Sequence, residues 1–499
     1  MKKITALLLA VFLLGIGVLI GHMLPWGGNT KEAFVPVSRL TGDVESELLL
    51  GDIYPQLEQL SFQKDNDSFS GVSLSALVEL AKPLSKNSTL LLIGEDGFTS
   101  ELTLPLPEDC YICFTDSYGW EMMSLHHPQS ANSKRIQEIV VVSQDTAPAN
   151  GVAVISTEEN LCTITPGQLR KRSLSLSPIK EGEATADYKG QQLQVKVYTT
   201  DRALPVSVLA QELSQNATTV MAIGRDGKTL YDDALGTLVY KGNTISYRKK
   251  DGREQIHDLS GIILDPPRKL VAQVYHDAVE TVSKGEPTMV IYLDGLGYNS
   301  YRKAVDAGAF PFLSKNSLLS AAVTAYTPVT NAGMAQMITG VTADRSGIHT
   351  RDNREPQVET IFDVVTGMGK TGILVEGNIG ILKTSVPPIL NMDTNDNGTD
   401  DEVFQSAMEQ IEKKPDYIMI HFHGIDDRGH ATGPLSDVSM AKMKETDDYL
   451  AALFEAFEGR IFVVSDHGMH KTTDGGGHGN FCYEDMIVPY FTVTGGKAK

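Results

Sequence analysis

The chain has 499 residues and carries 43 Lys plus Arg against 63 Asp plus Glu, a net charge of −20 at pH 7. That length predicts two to four domains, and so acidic a balance argues against binding nucleic acid duplexes or other polyanions. Four cysteines in such a chain exclude a disulfide scaffold.

In chain order, Met1-Lys2-Lys3 precedes an uncharged, Leu-rich run from Ile4 to about Ile20. This is near the ~20 residues needed to span hydrocarbon. No small-x-small cleavage site and no lipobox cysteine follow it, so residues 1–28 are expected to be an uncleaved signal anchor, a transmembrane helix. The two lysines keep the amino terminus inside, which places everything from about Asn29 onward outside the cytoplasmic membrane as a single-pass protein.

Residues 36–150 and 151–268 read as two smaller α+β modules related by a faint repeat. SLSALVELAKPLSKNSTLLLIGEDG (73–97) recurs as LPVSVLAQELSQNATTVMAIGRDG (204–227). Both read as helix, strand and Asp-Gly turn, and each copy later reaches a short strand, IQEIVVV (136–142) or LSGIILDPP (259–267). The first module contains CYIC, with Cys110 and Cys113. Its Tyr, Ile and Phe neighbours suggest a strand, where positions three apart face opposite ways, which argues against a redox pair. Cys162 and Cys482 have no evident partner.

Residues 285–499 alternate strand and helix: MVIYLD, TGILVE, DYIMIHF, RIFVVS and PYFTV, with VFQSAMEQIEKK and MAKMKETDDYLAALFEAFE between them. That order predicts an α/β fold, a parallel sheet with helices on both faces. The segment DTNDNGTDDE (393–402) partly imitates a calcium loop, but Phe404 stands at position twelve. It reads instead as an acidic loop capping the next helix.

Five stretches of this last region carry the chemistry: IYLDGLG (291–297), TPVTNAGMAQMITG (327–340), HFHGIDDRGHATGP (421–434), VVSDHGM (463–469) and GGGHGN (475–480). Each alone is weak; Asp294 by itself would be a turn residue after a strand and Thr330 a plain loop threonine. Together they set polar tips among glycines at strand ends, which builds sites rather than cores. Asp294 and the pair Asp466-His467 close apolar strands at the carboxyl end, where ligands bind in open α/β sheets. Asp426 and His430 stand four apart, a spacing that can put both on one face of a helical turn; Asp427 competes with Asp426. His478 sits in a loop with almost no side-chain bulk. His421 and His423 alternate along a strand and read as supporting residues. Carboxylate and imidazole are the donors zinc favours, with manganese or iron as alternatives.

These residues resemble the alkaline phosphatase superfamily, in its nucleotide pyrophosphatase/phosphodiesterase and phosphonoacetate hydrolase branch. The resemblance runs over about residues 285 to 495, and the order and spacing match at Asp294, at Thr330 ahead of Thr339-Gly340, at Asp426 with His430, at Ser465 to Met469 and at His478-Gly479. It implies two zinc ions, one on Asp294, Thr330, Asp466 and His467, the other on Asp426, His430 and His478. It also implies that Thr330 is the nucleophile. One position departs: three residues after the nucleophile, where nucleotide-phosphodiesterase members have an Asn that holds a phosphoryl oxygen, this chain has Gly333. Asn331 looks more like the phosphonoacetate hydrolase pattern and is expected to supply that amide. A sulfatase is excluded, since TPVTNAG offers no Cys or Ser in a C/S-x-P-x-R context. The first amino-terminal module resembles the small αβ fold of molybdopterin-binding oxidoreductases through GVSLSALVELA, IGEDGF and IQEIVVV, which implies a fold and no cofactor.

The expectation is therefore a membrane-anchored, extracytoplasmic two-zinc hydrolase of a small phosphodiester, pyrophosphate or phosphonate substrate, working through a phosphothreonine. The alternatives are a transferase that passes a phosphoryl-alcohol group to envelope polymers, and a catalytically silent binding module.

Overall fold

The computed structural model describes residues 37–145, 149–172, 174–252 and 255–493. The expected anchor, residues 1–28, lies outside them. Among the described residues no helix is long and apolar enough to cross a membrane.

The amino-terminal half contains one topology twice. In the first copy a five-stranded sheet runs Leu48–Leu49, Arg39–Gly42, Ile136–Ser143, Ser88–Gly94, Thr99–Thr103; in the second it runs Asn160–Ile164, Val152–Ile155, Leu259–Leu264, Val220–Gly224, Thr229–Asp232. Only the second and third strands of each order are parallel. A register shift at Ile93/Gly94 recurs at Ile223/Gly224. A helix lies in each copy, Leu74–Ala81 and Val206–Glu212, and each copy has a second antiparallel sheet. Cys110 and Cys113 lie on the strand Cys110–Thr115 of the first copy's second sheet, both buried and free. The copies differ most in the first two strands of that sheet. These are Leu60–Lys64 and Asp67–Ser73 in one, but Ser175–Tyr188 and Gln191–Pro205, 14 and 15 residues, in the other.

The carboxyl-terminal domain is built on an eight-stranded sheet in the order Lys269–Leu270, Leu318–Val323, Ile487–Val493, Arg460–Ser465, Thr288–Leu293, Tyr417–Phe422, Gly372–Glu376, Ile389–Leu390. The apolar runs read as buried strands are buried on both sides, as a sheet covered by helices on both faces requires. Met289, Ile291 and Leu293 face one core with Val403, Ala407, Met443 and Leu450. Val290 and Tyr292 face the other with Val274, Met334, Ile338 and Phe362. Two expectations need correction. The sheet is not wholly parallel, because Ile487–Val493, which contains PYFTV, runs antiparallel to both neighbours. The domain also begins before residue 285. The strand Lys269–Leu270 pairs in its sheet, and the helix Gln273–Ser283 buries Val274, Ala278 and Val282 in its core.

Candidate metal centre and active site

Three adjacent parallel strands deliver the site. Leu293 is level with Phe422 on one side and with Ser465 on the other, so Asp294, His423 and Asp466 leave the sheet at the same height. Beyond Phe422 the chain turns into the helix Gly424–Thr432, whose first turn carries Asp426 and whose last carries His430. The start of that helix is held by Asp400, which accepts from the N–H groups of His423 (2.9 Å) and Gly424 (3.1 Å). The acidic loop thus caps this helix, while its own helix, Asp400–Ile411, has no side-chain cap. Thr330 is the first residue of the buried helix Thr330–Thr339. Two glycines let these pieces close up. A Cβ on Gly295 (φ +73°) would lie 2.7 Å from Asp426 Oδ1, and one on Gly333 would lie 2.6 Å from both Cβ and O of Asp466. Gly333 is therefore the residue that admits the nucleophile's helix to the strand end, and no larger side chain fits there.

The sequence-derived residues converge into two nests that share Asp426. Asp426, His430 and His478 bring ligand atoms within 4.8 Å of one another, as do Asp294, Asp426 and His467. His430 Nε2 is 3.3 Å and His478 Nε2 3.9 Å from the Asp426 carboxylate; His467 Nε2 is 3.4 Å from Asp294 and 3.1 Å from Asp466. Thr330 Oγ1 lies 3.4 Å from His467 Nε2. Asp427 lines the neighbouring cavity, and Asp426 takes the position facing both His430 and His478.

The donor set fits metal ions by its hydrogen bonding. His430, His467 and His478 each turn Nδ1 to a backbone carbonyl, of Gly476, Gly468 and Pro328, at 3.0, 3.0 and 2.9 Å. That leaves each Nε2 as the acceptor nitrogen, those of His430 and His467 beside carboxylates and that of His478 beside the Arg351 guanidinium (2.7 Å), the tautomer of ligating histidines. Asp294 Oδ1 and Asp426 Oδ1 are buried and accept no hydrogen bond, a costly state for a carboxylate oxygen unless a cation is its partner.

The electrostatics agree. Burial alone would raise the Asp294 carboxyl, but hydrogen bonds from His421 and His423 and the nearby His467 hold it well below the usual carboxylate range. Burial and the Asp294 charge push Asp466 up to about 7. Burial, then the neighbouring His467, lowers His478 to about 4, which keeps it neutral at ordinary pH. The hydrogen bond to Asp426 raises His430.

His421 and His423, read from the sequence as supporting residues, stand closer to the site than that reading implied, and Tyr292, Glu376 and Arg351 carried no signal there. His421 Nε2 (3.1 Å) and His423 Nδ1 (3.3 Å) both reach Asp294 Oδ2, so a third potential ligand trio, Asp294, His421 and His423, competes for the same carboxylate. The fully buried His421 stacks on Tyr292 (3.7 Å between centroids) and lies 3.5 Å from Glu376. Tyr292 in turn donates to Asp466 Oδ2 at 2.8 Å. Asn331 differs from expectation: its amide donates to the carbonyls of Arg351 (3.3 Å) and Asn353 (2.9 Å), so both hydrogens are committed to the loop and not to a phosphoryl oxygen. That loop brings Arg351 to His478 Nε2 at 2.7 Å. A cavity of about 410 Å³ opens over the nests, lined by Asp294, Thr330, Arg351, Arg354, Asn378 and His423 among others. His470 and Asp485 (2.9 Å) brace the Gly-His-Gly turn from behind, since Asp485 also accepts from the N–H of Asn480.

Residues 382–489 match the family described as type I phosphodiesterase / nucleotide pyrophosphatase. That stretch of the chain is similar to the family, and the match covers less than a quarter of the 499 residues. The matched segment holds Asp426, His430, Asp466, His467 and His478. A stretch of 82 residues, 16% of this chain, is 33% identical to GPI ethanolamine phosphate transferase 2 of Yarrowia lipolytica; the chain spans 10% of that relative's length. Among solved structures, the phosphonoacetate hydrolase of Sinorhizobium meliloti 1021 in complex with phosphonoformate is 18% identical with a TM-score of 0.31. Murine ectonucleotide pyrophosphatase/phosphodiesterase 5 is 18% identical with a TM-score of 0.32. Each covers 38% of this chain, and the chain spans 58% of each.

Proposed function

We propose that the protein hydrolyses phosphodiester, pyrophosphate or phosphonate bonds of small molecules through a phosphothreonine on Thr330. The observation that carries this reading is the pair of carboxylate–imidazole nests, with two unpartnered buried carboxylate oxygens, set beside a threonine that begins a helix. Asp294, Asp466 and His467 would hold one transition metal with Thr330, and Asp426, His430 and His478 the other, zinc being favoured and manganese or iron accepted by the same donors. Bound metal would lower the pKa of the attacking hydroxyl and offset negative charge on the phosphoryl group.

The chain's own residues do the rest. Thr330 Oγ1 attacks phosphorus in line and the P–O or P–C bond opposite it breaks, releasing the leaving group into the 410 Å³ cavity. The first-turn N–H groups of Asn331 and Ala332, which a helix leaves without intrahelical partners, receive a phosphoryl oxygen. Asn331 fixes the loop bearing Arg351 through its amide. Water then cleaves the Thr330 phosphoester and restores the hydroxyl. The apolar run from Ile4 would tether this chemistry to the outer side of a membrane.

The test is direct. The metal-supplemented protein should turn over bis(4-nitrophenyl) phosphate or a related ester, Thr330→Ala should lower turnover by several orders of magnitude, and acid quench should trap a phosphoryl ester on Thr330, which from this diester retains one 4-nitrophenyl group. Phosphate trapped on another residue would overturn the assignment. A second reading, transfer of the phosphoryl-alcohol group to an acceptor hydroxyl in place of water, is favoured by the 82-residue match to the ethanolamine phosphate transferase. A rate that depends on an added alcohol acceptor would distinguish it.

A further inference from the structure

The strands Ser175–Tyr188 and Gln191–Pro205 form a two-stranded ribbon that leaves the second amino-terminal module. Only residues 203–205 of its second strand pair with the rest of their sheet, so both edges of the ribbon are free from Gln191 to Arg202. Its tip is a tight turn at Lys189 (φ 54°) and Gly190 (φ 77°), the two positive-φ residues of a type I′ hairpin.

Residues directly paired across antiparallel strands share a face. In the outer half of the ribbon the register pairs Gly182 with Val197, Ala184 with Val195 and Ala186 with Leu193. One face is therefore apolar over these three pairs, with Tyr188 and Gln191 following at the tip, while the other carries Glu183 with Lys196, Thr185 with Gln194 and Asp187 with Gln192. The apolar side chains are open to solvent: Leu193 is 46% exposed, Val195 57% and Val197 51%. An alternation this strict, QLQVKV, is the pattern of a strand with one covered face, and a bare two-stranded ribbon is marginal in water. Nothing among the described residues covers it.

We propose that the cover is the same face of a second copy of the chain. The face is self-complementary in shape. Along three successive pairs the bulk, Leu193, Val195 and Val197, stands on one strand against Ala186, Ala184 and Gly182 on the other; at the tip the order reverses, with Tyr188 on the first strand opposite Gln191. A two-fold stack that sets each strand over the opposite strand of its partner puts large on small at these three pairs and Tyr188 over Gln191 of the second copy, a self-complementary arrangement of the kind an isologous contact requires. A lipid surface fits less well. The chain carries −20 net charge and the ribbon's polar face no cluster of cations, so an anionic bilayer is repelled.

Sedimentation velocity on the full-length protein in neutral detergent, from roughly 1 to 50 µM, reads the association directly. Monomer and dimer should exchange over that range. Val195→Lys/Val197→Lys should be monomeric with unchanged melting temperature and esterase rate, and Thr185→Lys/Gln194→Lys on the opposite face should dimerise as the parent does. Should the lysine pair lower the melting temperature, Val195→Thr/Val197→Thr, which keeps shape and β propensity, should still weaken the dimer at least tenfold. A parent monomeric at every concentration refutes the proposal. So does a dimer indifferent to both face variants, or a monomer whose ribbon instead binds phosphatidylglycerol vesicles.

Discussion

Gly333→Ala isolates the role of the close approach behind the nucleophile. The added Cβ would lie 2.6 Å from both Cβ and O of Asp466 and 2.9 Å from its Cα, where ordinary contact begins at 3.4 Å. Backbone atoms cannot swing away as a side-chain tip can, so the helix Thr330–Thr339 or the strand end must retreat by roughly 0.8 Å, the difference between the two distances. Overpacking of this kind costs typically 1–3 kcal/mol, so the fold survives with a lowered melting temperature. Thr330, one turn earlier on the same helix, moves with it relative to Asp466 and His467. A misplacement near 1 Å costs on the order of 100-fold in rate. The assay is kcat/KM on bis(4-nitrophenyl) phosphate with metal content measured in parallel. Gly367→Ala is the control, because nothing lies within 4 Å of its Cβ position, and it should match or slightly exceed the parent in stability. A Gly333→Ala protein with parental kcat/KM would refute the argument that this glycine sets the nucleophile's position.

His478→Ala should lower affinity for one metal by about 100-fold or more, since it removes one of three converging donors; two metals retained by elemental analysis after dialysis would count against the Asp426 set. Apparent metal affinity should fall as pH drops below about 7, approaching tenfold per unit, because Asp466 is raised to about 7 and a proton then competes with the metal; calorimetric affinities flat from about pH 5 to 8 would contradict this. Asp400→Ala should cost about 1–3 kcal/mol, chiefly by leaving the His423 and Gly424 N–H groups uncapped, since the buried Lys442 loses its 3.5 Å partner but keeps Glu445 at 3.2 Å, whereas Asp400→Asn, which keeps an acceptor, should cost less in a thermal melt. A chain starting at residue 285 should fail to fold. It loses Val274 and Val282 from the core, at about 1.5–3 kcal/mol each, and Ala278 at about 0.8 kcal/mol, a sum that is a large part of total stability, and a cooperative melt of that fragment would disprove the estimate.

The strand ends were legible because chemistry and local pattern coincide there: an apolar run of five residues, 289–293, stopping at Asp294, or of four, 461–464, followed by Ser465, Asp466 and His467, says both where the sheet ends and what stands at its rim. Direction was not legible, since PYFTV has the same alternation read either way, and only pairing with Leu318–Val323 and Arg460–Ser465 makes it antiparallel. The domain start was misplaced because Gly285 punctuates the sequence, while the burial of helix Gln273–Ser283 against Tyr292 and Phe462 is a tertiary fact. Glu376, Tyr292 and Arg351 reach the site from segments 45 to 174 residues from their partners His421, Asp466 and His478, beyond any local pattern. Asn331 shows the opposite failure, a correct neighbourhood with the wrong partner: a primary amide beside a nucleophile can serve the substrate or the adjacent loop, and distance alone decides. The ribbon was visible in QLQVKV, yet alternation does not reveal that the covered face lacks a cover within the chain.

The second amino-terminal module is part of the frame that holds the site. Its Ile155, Met221, Ile223 and Ile263 form one core with Val323, Met486 and Ile487 of the carboxyl-terminal domain. Burying such side chains is worth about 1.5–3 kcal/mol each, enough in sum to make the two domains a single unit. The contacts fall on the segments that carry site residues. Gly227, at the tip of the Asp-Gly turn, lies so close to Ala343 and to the carbonyl of Tyr326 that a Cβ would approach them at 2.6 and 3.0 Å, and Tyr326 is four residues ahead of Thr330. Phe481, three residues beyond His478, fills the space left by Gly261 of the module. Asn160 closes the same junction, donating to Glu484 (2.8 Å) and accepting from the N–H of Tyr483 (3.0 Å). The loops bearing Thr330 and His478 are thus gripped between the sheet and the module, which explains how two glycine-rich, irregular segments hold ligand positions. The first module meets the second through Asp43, whose buried carboxylate accepts from Thr165 Oγ1 (2.6 Å) and from the Gly167 N–H (2.9 Å) at the start of the helix Pro166–Lys171. The second copy of the repeated topology therefore has a place in the scaffold of the site, and the first is a latch on that copy.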